Sequence, residues 1–138
     1  MEFKFFTNEK EEVINLVNDL FNKDYKNDFN LLNNQKLLLL KDSNILVGLC
    51  LITEKYDPFR KSKTYYLDYL CIKKEYQNNG LGTKMFNKIL EIAKENNIDY
   101  IELTSNKDRI NARKMYLNMG MKIKDTDIFI KEITNGSI

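Results

Sequence analysis

The chain has 138 residues, of which 43% are apolar, and its formal net charge is +2. This length predicts a single domain over residues 1–138 with one core, and the small net charge gives no reason to expect nucleic acid as a partner. Because the chain contains no histidine, serine–histidine catalysis, cysteine–histidine catalysis and the histidine motif of zinc proteases are excluded.

The first half of the chain predicts strands around one helix. Thr7 and Asn8 are suitable N-caps because their side chains accept hydrogen bonds from the first helical turn, and Ser43 and Asn44 predict a hairpin turn. In chain order we expect a strand at 2–6, a helix at 9–21, a loop or short helix at 22–34, and hairpin strands at 35–42 and 45–54.

The second half predicts two further helices between strands. Pro58, the only proline, lies in a longer connection, and Gly120 is a natural residue to end the last helix. We expect this connection at 54–63, strands at 64–72 and 99–105, helices at 81–97 and 108–120, and a final hairpin of strands at 121–124 and 127–133. The order indicates an α/β (α+β) fold with a mixed, mostly antiparallel sheet flanked by helices.

A glycine-rich turn, Q-N-N-G-L-G at 77–82, connects the strand at 64–72 to the next helix. It fits neither a P-loop nor a dinucleotide fingerprint, which needs a third glycine where Met85 stands. Glycines still allow close backbone approach, and a helix N-terminus presents unpaired N–H groups to an anion. The turn therefore suits a pyrophosphate, although a glycine turn that simply starts a helix explains the same residues.

Three segments in the correct order carry a family resemblance. The turn fits the pattern Q/R-x-x-G-x-G/A, the preceding Y-L-D-Y-L-C-I-K-K-E-Y resembles the strand of the same family, and A-R-K-M-Y-L-N-M-G-M-K resembles its later helix. The matching helix positions hold Ala112, Tyr116, Gly120 and Met121. From Thr64 onward the chain resembles the GNAT superfamily of acyl-CoA-dependent N-acetyltransferases.

The resemblance implies acetyl-CoA as the acetyl donor and no metal. Its pantetheine arm is expected to pair with the backbone of Leu70, Cys71 and Ile72, where an N–H group would stabilise the oxyanion of a tetrahedral intermediate. The pyrophosphate is expected on the turn, at Gln77, Asn78, Asn79, Gly80, Leu81, Gly82 and Thr83.

One position departs from the family pattern. Many members have an asparagine seven residues before the helix tyrosine, where it contacts the cofactor arm, and this chain has Arg109 there. Asn111 and Asn106 lie nearby and are candidates to replace that contact. Arg109 is alternatively a candidate to bind a CoA phosphate, or an exposed charge at the start of a helix.

Two residues are the candidates for acid–base chemistry. The resemblance implies Tyr116 as the general acid that protonates the CoA thiolate, and a core aromatic on an amphipathic helix is the alternative. Asp68 interrupts an apolar strand, where a charge costs free energy unless it is paired or functional. We expect Asp68 to be the general base, sharing a sheet face with Leu70, or else a structural carboxylate; Glu102 is the second candidate for the base.

Other chemical groups are assigned structural roles. Cys50 and Cys71 form neither a C-x-x-C pair nor a zinc spacing, so packed thiols in a reducing compartment are expected. The loop residues Asp24, Tyr25, Asp28 and Phe29 suit a cationic acceptor, but an ordinary surface loop is favoured. The N-terminus lacks a signal-peptide pattern and no apolar run approaches the ~20 residues of a membrane span, which predicts a cytoplasmic protein without a membrane partner.

These features predict an N-acetyltransferase that transfers acetyl directly from acetyl-CoA to a primary amine of a small molecule or protein. A catalytically silent GNAT-fold module that binds acyl-CoA is one alternative. A nucleotide-binding domain of another fold is the second. A monomer and a homodimer both remain compatible with the sequence.

Overall fold

The computed structural model describes residues 1–134, so the last four residues of the predicted domain lie outside it. The elements are β1 (Glu2–Phe5), α1 (Lys10–Phe21), β2 (Gln35–Asp42), β3 (Ile45–Asp57), β4 (Ser62–Ile72), a 3₁₀ turn (Lys74–Tyr76), α2 (Leu81–Glu95), β5 (Tyr100–Leu103) and α3 (Ile110–Asn118). Within this described part, no helix is long and apolar enough to cross a bilayer.

The five strands form one sheet in the order β1-β2-β3-β4-β5. Neighbouring strands are antiparallel except β4 and β5, which are parallel. The mixed, mostly antiparallel sheet predicted from the sequence is therefore confirmed. The parallel pair is joined through α2, because parallel neighbours need a crossover connection.

Helices cover both faces of the sheet. Alternation along β2 sends Leu37 and Leu39 to the α1 face and Leu38 and Leu40 to the other, as expected for a strand buried on both sides. The α1 face also buries Val13, Leu16, Val17, Leu46, Leu49 and Cys71. The opposite face buries side chains of α2, α3 and the sheet, including Tyr65, Leu67, Met85, Phe86, Ile89 and Tyr116.

A β-bulge interrupts β4 at Tyr69, whose φ of 56° lies in the left-handed region. On β3, Leu49 pairs with Cys71 and Leu51 pairs with Asp68. Two steps along β3 therefore correspond to three along β4, and the extra residue reverses the alternation of side chains.

The bulge corrects one prediction. Opposed residues of an antiparallel pair share a face, so Asp68 lies on the α1 face with Leu51, whereas Leu70 packs against the opposite cluster. The expectation that Asp68 and Leu70 share a face is wrong because it assumed uninterrupted alternation.

Other local expectations are corrected by side-chain hydrogen bonds. The N-cap of α1 is Glu9, rather than Thr7 or Asn8; its carboxylate accepts both of their backbone N–H groups. The stretch 22–34 is a loop, which is one of the two forms expected, whereas the predicted connection at 54–63 is mostly strand. Its turn is tightened by Asp57, which accepts two backbone N–H groups there.

The predicted final hairpin at 121–124 and 127–133 is absent, and both stretches run without regular structure. The apolar side chains of this tail remain exposed: Ile123, Ile128, Phe129, Ile130 and Ile133. An isolated two-stranded hairpin has little stability in water, and neither stretch joins the outer edge of β5. The alternation of apolar and polar residues predicted the two strands. A strand also needs a neighbouring strand to pair with, and the pattern does not contain that information.

Candidate functional site

The main cleft opens where β4 and β5 separate. Their ladder ends at Leu67 opposite Leu103, while β4 continues to Ile72. The cleft has a volume of about 990 Å³. Of the predicted residues, its lining contains Leu70, Cys71, Ile72, Gln77, Asn78, Gly80, Leu81, Gly82, Thr83, Asn106, Arg109, Asn111 and Tyr116. Asn79 is not among the lining residues.

The glycine turn closes one end of this cleft. Gly80 is the N-cap of α2 with a φ of 75°, and Asn78 also adopts a left-handed φ, of 65°. No side chain caps this helix, so its first N–H groups keep their capacity to bind an anion. The turn therefore presents backbone donors along 80–83, where the sequence predicted them.

Two contacts hold the turn in place. The Gln77 side chain donates a hydrogen bond to the Ile72 carbonyl at 2.9 Å, which ties the turn to the end of β4. A Cβ atom on Gly82 would lie only 3.1 Å from Sδ of Met115. Glycine at this position thus allows α2 and α3 to pack closely beside the cleft.

A smaller cavity of about 190 Å³ adjoins the cleft. Its lining consists of Phe21, Leu67, Asp68, Tyr69, Leu70, Leu103, Thr104, Arg109 and Tyr116. Five of these residues also line the main cleft: Phe21, Leu70, Thr104, Arg109 and Tyr116. These shared residues mark the junction of the two spaces, while Asp68 lies on the side of the smaller one.

Tyr116 is positioned by the end of α3. The N–H groups of Gly120 and Met121 donate to the carbonyls of Leu117 and Tyr116, and Gly120 has a φ of 90°, which is a Schellman ending with the predicted glycine at C′. The Tyr116 ring is 7% exposed and packs on Phe86. The last turn of the helix thereby fixes the phenol at the junction.

The Tyr116 hydroxyl is chemically available. It makes no hydrogen bond to any part of the chain between residues 1 and 134. Burial raises the pKa of Tyr116, and the nearby charge of Arg109 acts in the opposite direction. The phenol is therefore protonated at neutral pH, as a proton donor must be.

Asp68 is the carboxylate of the smaller cavity. Burial raises its pKa, and Lys55 acts in the opposite direction. Among residues 1–134 no basic side chain lies within 4.0 Å of it, so the structure does not show the ion pair that a structural role would favour. Glu102 is exposed and lines neither space.

Both cysteines are buried. Burial raises the pKa of Cys50 and raises that of Cys71 to about 12, against the opposing charge of Arg109 on Cys71. Thiols with raised pKa values are poor nucleophiles at neutral pH. Their side chains belong to the core, and Cys71 meets the cleft as part of β4.

The structure adds two aromatic residues, Phe21 and Tyr69, that sequence analysis did not place at the site. Phe21, at the end of α1, meets Tyr69 edge to face with ring centroids 5.1 Å apart, and both line the smaller cavity. Tyr25 also contacts Tyr69 through its hydroxyl group. The signal was the adjacency of Tyr69 to Asp68, but only the bulge shows that both face α1.

Comparison with known proteins places this geometry in a family. The sequence model of the Acetyltransferase (GNAT) family matches residues 5–121. No curated protein sequence matches the chain. The family match spans every strand and helix of the fold except the first residues of β1.

Solved structures share the whole architecture. A ribosomal-protein-alanine N-acetyltransferase from Brucella melitensis biovar Abortus 2308 has a TM-score of 0.81 at 14% identity, covering 96% of this chain and 100% of that one. An aminoglycoside acetyltransferase from an uncultured soil metagenomic sample has a TM-score of 0.81 at 13% identity, covering 97% and 96%. A possible acetyltransferase from Clostridium difficile 630 has a TM-score of 0.79 at 19% identity, covering 97% and 98%.

Proposed function

The chain belongs to the Acetyltransferase (GNAT) family, and on that premise we propose that it transfers an acetyl group directly from acetyl-CoA to a primary amine. The observation that carries the proposal is the junction of the two cavities. One space runs to a turn of free backbone donors, the other contains a carboxylate, and a phenol stands between them. Donor and acceptor can therefore occupy the protein together.

The main cleft fits the cofactor. Its phosphate end is the turn, where the N–H groups at 80–83 suit a pyrophosphate. Its inner wall is β4, whose residues 68–72 have no β5 partner. In our proposal the pantetheine arm lies along Leu70, Cys71 and Ile72, and the thioester reaches Tyr116.

The smaller cavity fits the acceptor amine. An alkylammonium has a pKa near 10, so the amine must lose a proton before it attacks. Asp68 takes that proton, directly or through a water molecule, and its raised pKa makes it a stronger base than an exposed carboxylate. The carboxylate also attracts the cationic amine before transfer.

The transfer then proceeds through a tetrahedral intermediate. The amine nitrogen forms a bond to the acetyl carbon, and the carbonyl electron pair moves to oxygen, where a backbone N–H of the 70–72 segment stabilises it. The added nitrogen releases its surplus second proton to water, and the C–S bond breaks as the carbonyl reforms. Tyr116 gives its proton to the departing sulfur, so the products are an N-acetylated amine and CoA.

Turnover with an amine panel tests this function. Purified protein is mixed with acetyl-CoA and, separately, n-butylamine, a lysine-containing peptide, a free N-terminal peptide and an aminoglycoside, and thiol release is followed. We expect amine-dependent thiol release with at least one class. Binding of acetyl-CoA without release for any acceptor would favour the silent acyl-CoA-binding module.

Ligand competition tests the cleft separately. We expect CoA to displace labelled acetyl-CoA, and ATP and NAD to displace it weakly because they lack the pantetheine arm. Displacement by NAD or ATP as strong as that by CoA would contradict the assignment of the arm to β4. The GNAT fold itself excludes the nucleotide-binding domain of another fold.

A further inference from the structure

Arg109 lies at the junction of the two cavities, and its positive charge has no ion-pair partner among residues 1–134. It immediately precedes α3 and lines both the main cleft and the smaller cavity. Its guanidinium makes no hydrogen bond or ion pair with residues 1–134. Arg109 is exposed, as the sequence allowed, and it also lines the space assigned to the two substrates.

The neighbours of Arg109 identify which end of the cofactor it faces. Its positive charge acts on Tyr116 and on Cys71, where it opposes the effect of burial on each pKa. Tyr116 is at the junction and Cys71 is on the free part of β4. The glycine turn lines only the main cleft. Arg109 is therefore a neighbour of the reacting end.

We propose that Arg109 is a catalytic residue that stabilises the thiolate of coenzyme A as it leaves the tetrahedral intermediate. This inference rests on the proposed function and adds a role to a residue for which a phosphate contact was the alternative. A planar cation that cannot be deprotonated is suited to compensate a developing negative charge.

The proposed step conserves charge and protons. When the C–S bond breaks, its electron pair stays on sulfur, and the guanidinium compensates that charge without transferring a proton. Tyr116 then protonates the sulfur, and the phenolate that remains is compensated by the same cation. The phenol regains its proton from solvent. Arg109 thus stabilises first the leaving thiolate and then the phenolate of Tyr116.

The ionisation of bound CoA tests the proposal without turnover. The thiolate absorbs in the near ultraviolet, and the same titration with desulfo-CoA removes the contribution of protein tyrosines and cysteines. A free thiol of this kind has a pKa near 8.5. We expect bound CoA to titrate lower in the wild type, and about one unit or more higher in Arg109→Gln than in the wild type.

Two further variants sharpen the result. Arg109→Lys keeps the charge but loses the planar fork, so its thiol should titrate between those of the wild type and Arg109→Gln. Arg113→Gln is the matched control, since Arg113 lies in the first turn of α3, close to Arg109 in the sequence, but lines neither cavity. It should leave the titration unchanged. For turnover, we expect Arg109→Gln to lower kcat by roughly 10²-fold, comparable to loss of one oxyanion donor.

Two results would overturn the inference. One is that CoA bound to Arg109→Gln titrates with the same thiol pKa as CoA bound to the wild type. The other is an equal loss of affinity for CoA and desulfo-CoA with no change in the titration, which would assign Arg109 to a phosphate. Failure of the wild type to bind CoA at all would instead contradict the proposed function, and the inference with it.

Discussion

Tyr25 and Tyr69 are 44 residues apart in the sequence, and their hydroxyl oxygens lie 3.2 Å apart. The Asn18 side chain holds Tyr25 by both backbone groups, accepting from its N–H at 2.9 Å and donating to its carbonyl at 3.0 Å. Tyr69 is the left-handed residue of the β4 bulge, next to Asp68. The loop after α1 is thereby tied to the strand that carries the candidate base.

Removing this hydroxyl contact should weaken binding of the acceptor amine and leave binding of acetyl-CoA unchanged. For Tyr25→Phe and Tyr69→Phe we expect a higher KM for the amine and an unchanged calorimetric affinity for acetyl-CoA. The coupling energy in a double-mutant cycle should be about 0.5–1.5 kcal/mol, as for one neutral hydrogen bond. Tyr56→Phe, an exposed tyrosine on β3, is the control. Additive effects of the two substitutions would show that the hydroxyl pair has no role.

Tyr116→Phe tests the proton donor. The substitution keeps the ring against Phe86 and removes only the hydroxyl, so acetyl-CoA affinity and stability should change little. General acid catalysis contributes typically about 10²–10⁴-fold, and kcat on the best amine should fall by an amount in that range. A wild-type kcat in a folded variant would reduce Tyr116 to a packing residue.

Asp68→Asn separates catalysis from stability. Folding raises the pKa of Asp68 through burial, so the folded state favours the protonated form, and its contribution to stability decreases as pH rises through the folded-state pKa. At neutral pH the asparagine variant should therefore melt at or above the wild-type temperature. It should also lose the acidic limb of kcat/KM and transfer acetyl more slowly. Asp125→Asn, in the exposed tail, is the control; a lower melting temperature with an intact pH profile would make Asp68 structural.

Gly82→Val tests the turn. A Cβ there would lie 3.1 Å from Sδ of Met115, so the side chain of Met115 must shift, and the larger side chain would occupy space at the turn that the pyrophosphate needs. We expect weaker binding of CoA by calorimetry in a variant that still folds. Gly120→Ala, which introduces strain at a left-handed position away from the turn, should lower stability and keep the affinity. Equal CoA affinity in Gly82→Val and wild type would contradict a pyrophosphate site here.

The contacts of Glu9 predict that acid lowers the stability of the fold, independently of the candidate site. Burial alone would raise its pKa, but the Lys4 ammonium and the N–H groups of Thr7 and Asn8 outweigh burial and lower the pKa to about 2. Its stabilising contribution is present above the usual pKa of about 4.5 and is lost as pH falls from there towards 2.

The matching substitution is Glu9→Gln. It should lower the free energy of unfolding at neutral pH by about 1.5–3 kcal/mol, as for hydrogen bonds to a charged group, and flatten the acid dependence measured by urea unfolding. Glu11→Gln, on the exposed side of α1, should do neither. If the acid dependence of unfolding is unchanged in Glu9→Gln, then other carboxylates cause it.

Features that depend on residues close together in the sequence were predictable, whereas strand register and strand pairing were not. Gly80, Tyr116 and Gly120 were predictable because each depends on spacing within one turn or helix. The bulge at Tyr69 was not, since tyrosine and leucine suit either face of a buried strand and an extra residue leaves no mark in the pattern. The tail shows the same limit, because alternation at 127–133 predicts a strand but no neighbour to pair with it.

The early end of the β4–β5 ladder has a consequence for the protein's energetics. Up to Leu67 the strand has partners on both sides, and beyond it only β3 remains. A cofactor arm that pairs with 70–72 extends the sheet in the manner of β-augmentation, so the ligand takes the place of a missing strand. Folding and occupancy are then thermodynamically linked, and a ligand at 100 times its Kd adds about 2.7 kcal/mol to the free energy of unfolding. In the proposed function, the concentration of acetyl-CoA therefore sets the fraction of the protein in which this segment of β4 is covered.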